Sequence, residues 1–269
     1  MPVKKSKENI FCTEKSIQKN TTHSIKVGCG DVSIPLNVHR KDGSNNSSQA
    51  TVDVNVDLNS TIYGSHISNI VNILNKEPNN SLYTLTKTLL DSTETKLYDK
   101  SIKISYDFVY FLRKKAIVSK EESWISYKTV FTAEKVDDVL KYYLRINIPY
   151  TSLCPTSKEI SDYGAHNQRS LAEIEVELTD FHENCDFWIE DVVYIVDNCV
   201  SCPVFNVGDL TDEAFQTEMM YENPMFVEDI ALKIAKCLDK CKDTQIKGYN
   251  LTLNHYDSIN DYTTKAVLQ

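Results

Sequence analysis

The chain has 269 residues, 41% of them hydrophobic, and a formal net charge of −9. At about 100–200 residues per domain, this length gives two domains or one large one, with enough apolar side chains for a sizeable core. The acidic balance argues against nonspecific nucleic-acid binding, which needs clustered Lys and Arg, but leaves room for a locally basic pocket that takes a phosphate.

Residues 1–20 read as a polar, flexible tail with Lys4, Lys5 and Lys7 and without the apolar core of a secretory signal. No stretch approaches about 18 apolar residues, so no membrane span is expected and the chain reads as cytoplasmic. Eight cysteines in that setting read as reduced thiols rather than a disulfide frame. The pairs Cys199/Cys202 and Cys237/Cys241 loosely suggest a four-thiolate zinc site. Cys237, however, falls on the apolar stripe of a predicted helix, where a thiol behaves as a small hydrophobe.

In chain order, a strand is expected at roughly 25–38. Residues 52–59 then alternate apolar and polar (Val52, Val54, Val56, Leu58), the period of a half-buried strand. Two helical patterns follow, one carrying Ile67, Ile70, Val71 and Leu74 and the other Leu82, Leu85 and Leu89. Ile102, Ile104, Tyr106, Phe108 and Tyr110 alternate cleanly, and residues 124–131 form the next strand. The second half repeats this order. Strands carry Tyr142, Leu144, Ile146 and Ile148, then Ala172, Ile174, Val176 and Leu178. Helices carry Trp188, Ile189, Val192, Val193 and Val196, then Phe226, Ile230, Ile234 and Leu238, the last opened by Pro224. A strand with Tyr249, Leu251 and Leu253 comes later. The expectation is an α+β fold of two tandem strand-strand-helix-helix-strand-strand units, 21–134 and 135–269. Each unit is an antiparallel sheet with two helices on one face.

Residues 153–170 do not fit that scaffold. The segment has no useful period and few large apolar residues, so a connection of its length is functional or disordered. It brings together Cys154, Lys158, Glu159, His166 and Arg169. Thiolate and imidazole are preferred zinc ligands, and a catalytic zinc uses about three protein ligands and leaves a position for water. Glu159 can handle protons, and Lys158 and Arg169 can hold phosphates. Taken singly, each residue has a duller reading: a buried thiol, a satisfied His, solvated cations.

This segment closely resembles the signature of the type IB GTP cyclohydrolases. It reads Leu-Cys-Pro-Thr-Ser-Lys-Glu-Ile-Ser-Asp-Tyr-Gly-Ala-His-Asn-Gln-Arg-Ser. Residues 64–68, 187–190 and 221–229 resemble further family segments in the same order, and the resemblance spans about residues 20–265. It implies the tunnelling fold (T-fold), built from two such tandem units, and a homotetramer with sites near subunit interfaces. It also implies conversion of GTP to 7,8-dihydroneopterin triphosphate and formate. Cys154 and His166 would then be metal ligands, for zinc, manganese or iron, and Glu159 would assist. Glu218 would hold guanine or lie near the metal, and His66, Lys158 and Arg169 would contact the triphosphate.

Four positions depart from the family pattern. Thr156 stands where a second Cys is usual and Asn69 where Arg follows the His-Met-Ser triplet. Pro203 stands near where the family has an acidic residue, a metal ligand there, with neighbouring Cys202 offering a substitute thiolate, and Asn260 replaces a His. These departures motivate a rival reading as a catalytically inactive purine-binding relative. A tunnelling-fold NADPH-dependent nitrile reductase, with a covalent Cys nucleophile, is the other rival.

Overall fold

The computed structural model of the chain describes residues 25–58, 65–76, 81–93, 101–183, 187–206, 209–242 and 244–269. The tail at 1–20 lies outside the described residues, as does the side chain of His66.

The first half contains β1 (Ile25–His39), β2 (Asn45–Leu58), α1 (Ser65–Lys76), α2 (Leu82–Thr93), β3 (Ser101–Lys115) and β4 (Glu122–Val136). The second contains β5 (Val139–Leu153), α3 (Pro155–Ile160), β6 (Asn167–Leu178), α4 (Ile189–Asp197), β7 (Cys202–Pro203), α5 (Leu210–Glu222), α6 (Val227–Asp239), β8 (Ile246–Tyr256) and β9 (Thr263–Leu268). Elements α3, β7 and α5 are additions to the order expected from periodicity.

All pairings of the named strands are antiparallel, in one sheet ordered β1-β2-β3-β4-β5-β6-β8-β9, with β7 beside β5. The sheet continues across residue 135 through the β4–β5 hairpin, where Val136 pairs with Val139. Asp137 and Asp138 make that turn at φ +47° and +67°. Positive φ at both central residues is the signature of a type I′ hairpin, whose twist matches that of the strands.

Register explains the core. Val54 pairs with Ile104, Tyr106 with Phe131, Phe131 with Leu144 and Leu144 with Val176, so inward positions align across five strands. Each of these side chains is at most 5% exposed. The stripes of α1 (Ile70, Leu74), α2 (Leu82, Leu85, Leu89), α4 (Ile189, Val192, Val193, Val196) and α6 (Ile230, Ile234, Leu238) join the same cluster. At about 25 cal/mol per Å2 of apolar surface, this shared burial is the main force holding helices to sheet. Phe131, Phe181 and Tyr142 form its aromatic centre, with the two Phe ring centroids 4.3 Å apart. Ile67 and Phe226, expected on helical stripes, are 40% and 43% exposed. Both sit at helix starts, beyond the reach of the sheet.

The two halves are also clamped by polar contacts. Glu190 accepts from the Tyr110 hydroxyl at 2.6 Å and from the Lys41 amide at 3.1 Å. Lys114 pairs with Asp197 at 2.6 Å, and both side chains are largely buried. Burial raises the Asp197 pKa above the usual carboxylate range, while Lys114 pulls it back.

Candidate active site

β5 and β6 pair as far as Leu153 with Asn167, and the chain leaves the sheet on either side of that rung. Cys154 and His166 are therefore the two residues flanking the end of the ladder. The Cys154 amide donates to the His166 carbonyl oxygen at 3.2 Å. Pro155 opens α3 because its missing N–H is not needed there. Cys154 caps that helix, its Sγ accepting from the Ser157 amide at 3.4 Å. The Ser157 hydroxyl donates to the Cys154 carbonyl at 3.2 Å and accepts from the His166 amide at 3.3 Å, which ties the two residues through one side chain. Gly164, at φ +119°, takes a backbone conformation closed to L side chains and turns the chain back toward β6.

Residues 153–170 are thus more regular than expected: only Cys154 and 161–166 lie outside helix and strand. The period was hidden because β6 begins with polar inward positions. Gln168 and Ser170 are buried, and both meet Ser152: Gln168 donates from Nε2 at 2.9 Å, and the Ser170 hydroxyl lies at 3.0 Å. His255 on β8 completes this group. Its Nε2 lies 2.9 Å from the Tyr150 hydroxyl and its Nδ1 3.4 Å from the Ser152 hydroxyl. Burial lowers the His255 pKa to about 4, so the ring is neutral at pH 7. Sequence reasoning missed His255. Its signal was its place on the inward parity of Leu251 and Leu253.

His166 Nδ1 is buried without a hydrogen-bond partner among the described residues. A buried polar atom left this way costs free energy unless it is bound by something else. Thiol sulfur and imidazole nitrogen are a donor set that suits a borderline-soft divalent cation. Among the described residues, no group of three or more His, Cys, Asp or Glu is placed to hold one. Pro203 pairs with Tyr150 and has no side-chain donor. Cys202 does not replace it: its fully buried thiol turns onto the Pro203 carbonyl at 3.3 Å, and burial pushes its pKa up to about 11. The four-thiolate grouping of Cys199, Cys202, Cys237 and Cys241 does not form either.

The remaining residues are unequally placed. Lys158 donates from Nζ to the Tyr221 carbonyl at the end of α5 and lies 4.2 Å from that residue's ring centroid. Glu218, one turn earlier on α5, is exposed, as is Glu159 on α3. The far end of α5 is fixed by buried Asp212, which accepts from the Val118 amide at 2.8 Å. Arg169 pairs with Thr151 and is exposed, on the sheet face opposite Gln168 and Ser170. His66 is not brought to this end within one chain. Its helix, α1, packs on β1, and β1 lies four strands from β5. Asp257, just beyond β8, adds a carboxylate not anticipated. It accepts from the amides of Ile259 at 2.9 Å and Asn260 at 3.1 Å. The Ile259 bond leads in holding its pKa below the usual range, and the charge of nearby His166 adds to the effect.

A family model described as type I GTP cyclohydrolase folE2 matches residues 14–266. The chain belongs to that family. A curated protein named GTP cyclohydrolase FolE2 from Thermosipho africanus (strain TCF52B) is 36% identical over 245 residues, covering 89% of this chain and 90% of its own. The protein of the same name from Geobacter sp. (strain M21) is 34% identical over 244 residues, covering 91% of this chain and 88% of its own. Among solved structures, a hyperthermostable mutant of Bacillus sp. TB-90 urate oxidase aligns with TM-score 0.55 at 10% identity, covering 91% of this chain and 98% of its own. Uricase from Arthrobacter globiformis aligns with TM-score 0.53 at 8% identity, covering 93% and 95%. These two likenesses are of fold alone, and they fit a tunnelling fold.

Proposed function

We propose that the chain is a GTP cyclohydrolase that opens the guanine ring of GTP, releasing C8 as formate and closing the remainder to 7,8-dihydroneopterin triphosphate for folate synthesis. The observation that carries this reading is the Cys154–His166 pair at the end of the β5/β6 ladder, in a chain whose family membership extends over residues 14–266.

Cys154 and the unpartnered His166 Nδ1 are the donors that would hold a zinc, manganese or iron ion. Such an ion supplies Lewis acidity that makes water nucleophilic near neutral pH. Glu159, exposed beside the pair, relays protons between solvent and guanine. Glu218 offers two acceptor oxygens to the paired N–H donors of the guanine edge. Lys158 and Arg169 neutralise the triphosphate.

Assembly belongs to the same proposal. Among the described residues β1 and β9 end the strand order, β1 having only the isolated bridge of Asn37 to Ser81 beyond its pairing with β2, and edge strands invite pairing or cover. Ile160, Tyr163, Tyr221, Ile259 and Tyr262 are exposed on segments at the site's end of the sheet. Exposed apolar side chains gathered this way mark contact surfaces. A homotetramer of tandem strand-strand-helix-helix-strand-strand units buries them and brings His66 of another copy to the triphosphate.

The test is incubation of purified protein with GTP and zinc, manganese or iron(II), added separately, with assay of formate and of pterin fluorescence after oxidation. Formate with an oxidisable pterin product is expected. A folded protein that binds GTP yet releases no formate with any metal would establish instead the inactive relative, the reading favoured by Pro203.

A further inference from the structure

The second half contains a second cysteine site, remote in sequence from the Cys154 loop. Cys199 follows the C-terminus of α4, and Cys237 lies in the last turns of α6. Their sulfur atoms are 3.8 Å apart across 38 residues of sequence. Cys199 is 5% exposed and Cys237 is half-buried, so a small reagent reaches the pair from the Cys237 side. Burial, with Cys237 beside it, pushes the Cys199 pKa up to about 12 against the pull of Lys233 and Lys240, so Cys199 stays a thiol at pH 7; Cys241, one turn beyond Cys237, contributes a third free thiol. Two sulfurs that are neighbours across different elements need little backbone movement to come to bonding distance.

We propose that Cys199 and Cys237 form an oxidation site, closed to a disulfide by a small-molecule disulfide such as oxidised glutathione. The Cys237 thiolate attacks one sulfur of the reagent, breaking its S–S bond and releasing one thiolate. Cys199 Sγ, giving up its proton as it does so, then attacks Cys237 Sγ, forming the protein disulfide and releasing the second thiolate. Two cysteines are oxidised, one reagent disulfide is reduced to two thiols, and the cysteine protons pass to solvent or the departing thiolates.

The bond staples α4 to α6 and closes the intervening residues into a loop that carries β7 and α5. That loop is already joined to the sheet where β7 pairs with β5 and where Asn206 donates to the Trp124 carbonyl at 2.8 Å; Asp212 anchors α5, and Asn223 donates to the carbonyls of Val200 at 3.1 Å and Ser201 at 3.2 Å. The bond adds a covalent restraint on its local opening.

The full chain is incubated with graded ratios of oxidised to reduced glutathione, quenched with a thiol-blocking reagent and digested for peptide mass analysis. A linked Cys199–Cys237 peptide is expected, together with slower amide exchange across β7 and α5 and a higher unfolding midpoint in the oxidised form. Cys199→Ala and Cys237→Ala should each abolish the link, so misfolding of one variant leaves the other to decide. Thiols that stay blockable at every ratio, or a link that forms between Cys237 and Cys241 instead, would overturn the proposal.

Discussion

The amide of Cys154 donates to the carbonyl oxygen of His166 at 3.2 Å, extending the β5/β6 ladder by one bond beyond its last paired residues. The two proposed ligands are therefore held by backbone, and the fold does not depend on their side chains. Cys154→Ala removes one acceptor from the Ser157 amide, in a half-buried position. Formate release should fall by at least about 100-fold, as expected when a reacting centre is lost, with far-ultraviolet circular dichroism and oligomer mass unchanged. Retained turnover would remove Cys154 from the chemistry.

Chelation follows from the same pair. Dialysis against a strong chelator should abolish formate release, and restoring one of zinc, manganese or iron(II) should recover it. His166 Nδ1 has no protein partner among the described residues, so its imidazole resonance should shift on adding zinc to the apo protein. An unchanged spectrum would separate His166 from the metal even if activity returned.

Lys158 is engaged by the Tyr221 carbonyl and ring and must exchange that contact for phosphate. Lys158→Met keeps the apolar stem and removes the charge. A charged hydrogen bond to phosphate is worth about 1.5–3 kcal/mol, so KM for GTP should rise roughly 10–100-fold while kcat changes little. An equal fall in kcat with KM unmoved would give Lys158 a role in the transition state instead.

Legibility in the sequence followed apolar periodicity. Ala172, Ile174, Val176 and Leu178 announce β6 because their inward neighbours are all apolar, and they are at most 5% exposed. The first turns of that strand were hidden because Gln168 and Ser170 take inward positions and are satisfied by Ser152, a partner that only tertiary structure supplies. Helix α5 was invisible for a similar reason: its one buried residue is Asp212, so it has no apolar stripe to read. Cys154, Lys158 and His166 were legible together because one short loop carries them. His66 was grouped with them by motif, yet its helix packs on β1, and no local pattern encodes that separation.

The β4–β5 hairpin gives a stability test independent of function. Asp137 and Asp138 both hold positive φ, a conformation costing about 1–2 kcal/mol for an L residue. Asp138 is 97% exposed, and its ion pair with Lys135 at 3.7 Å contributes little. Asp138→Gly relieves that strain and gives back part of the gain through unfolded-chain entropy. The net should be stabilisation of about 0.5–1 kcal/mol, seen as an unfolding midpoint about 1–3 °C higher. A lower midpoint would show that the Asp138 side chain does more than occupy a turn.

His255 couples this end of the sheet to pH. Its ordinary pKa of 6.5 falls to about 4 on burial. An unfolded chain therefore takes up a proton near pH 6.5 that the folded chain accepts only near pH 4. Between those values the unfolded state holds more protons, so stability rises with pH and is lost on acidification. From pH 7 to pH 5 this one group removes roughly 2 kcal/mol. His255→Asn retains a neutral hydrogen-bonding side chain without the titration, so urea midpoints of the variant should separate less between pH 7 and pH 5 than those of the parent. At pH 7 the variant should be less stable, because the Tyr150 hydroxyl, 2.9 Å from His255 Nε2, is beyond the shorter side chain. An undiminished pH dependence would mean that the acid sensitivity arises elsewhere.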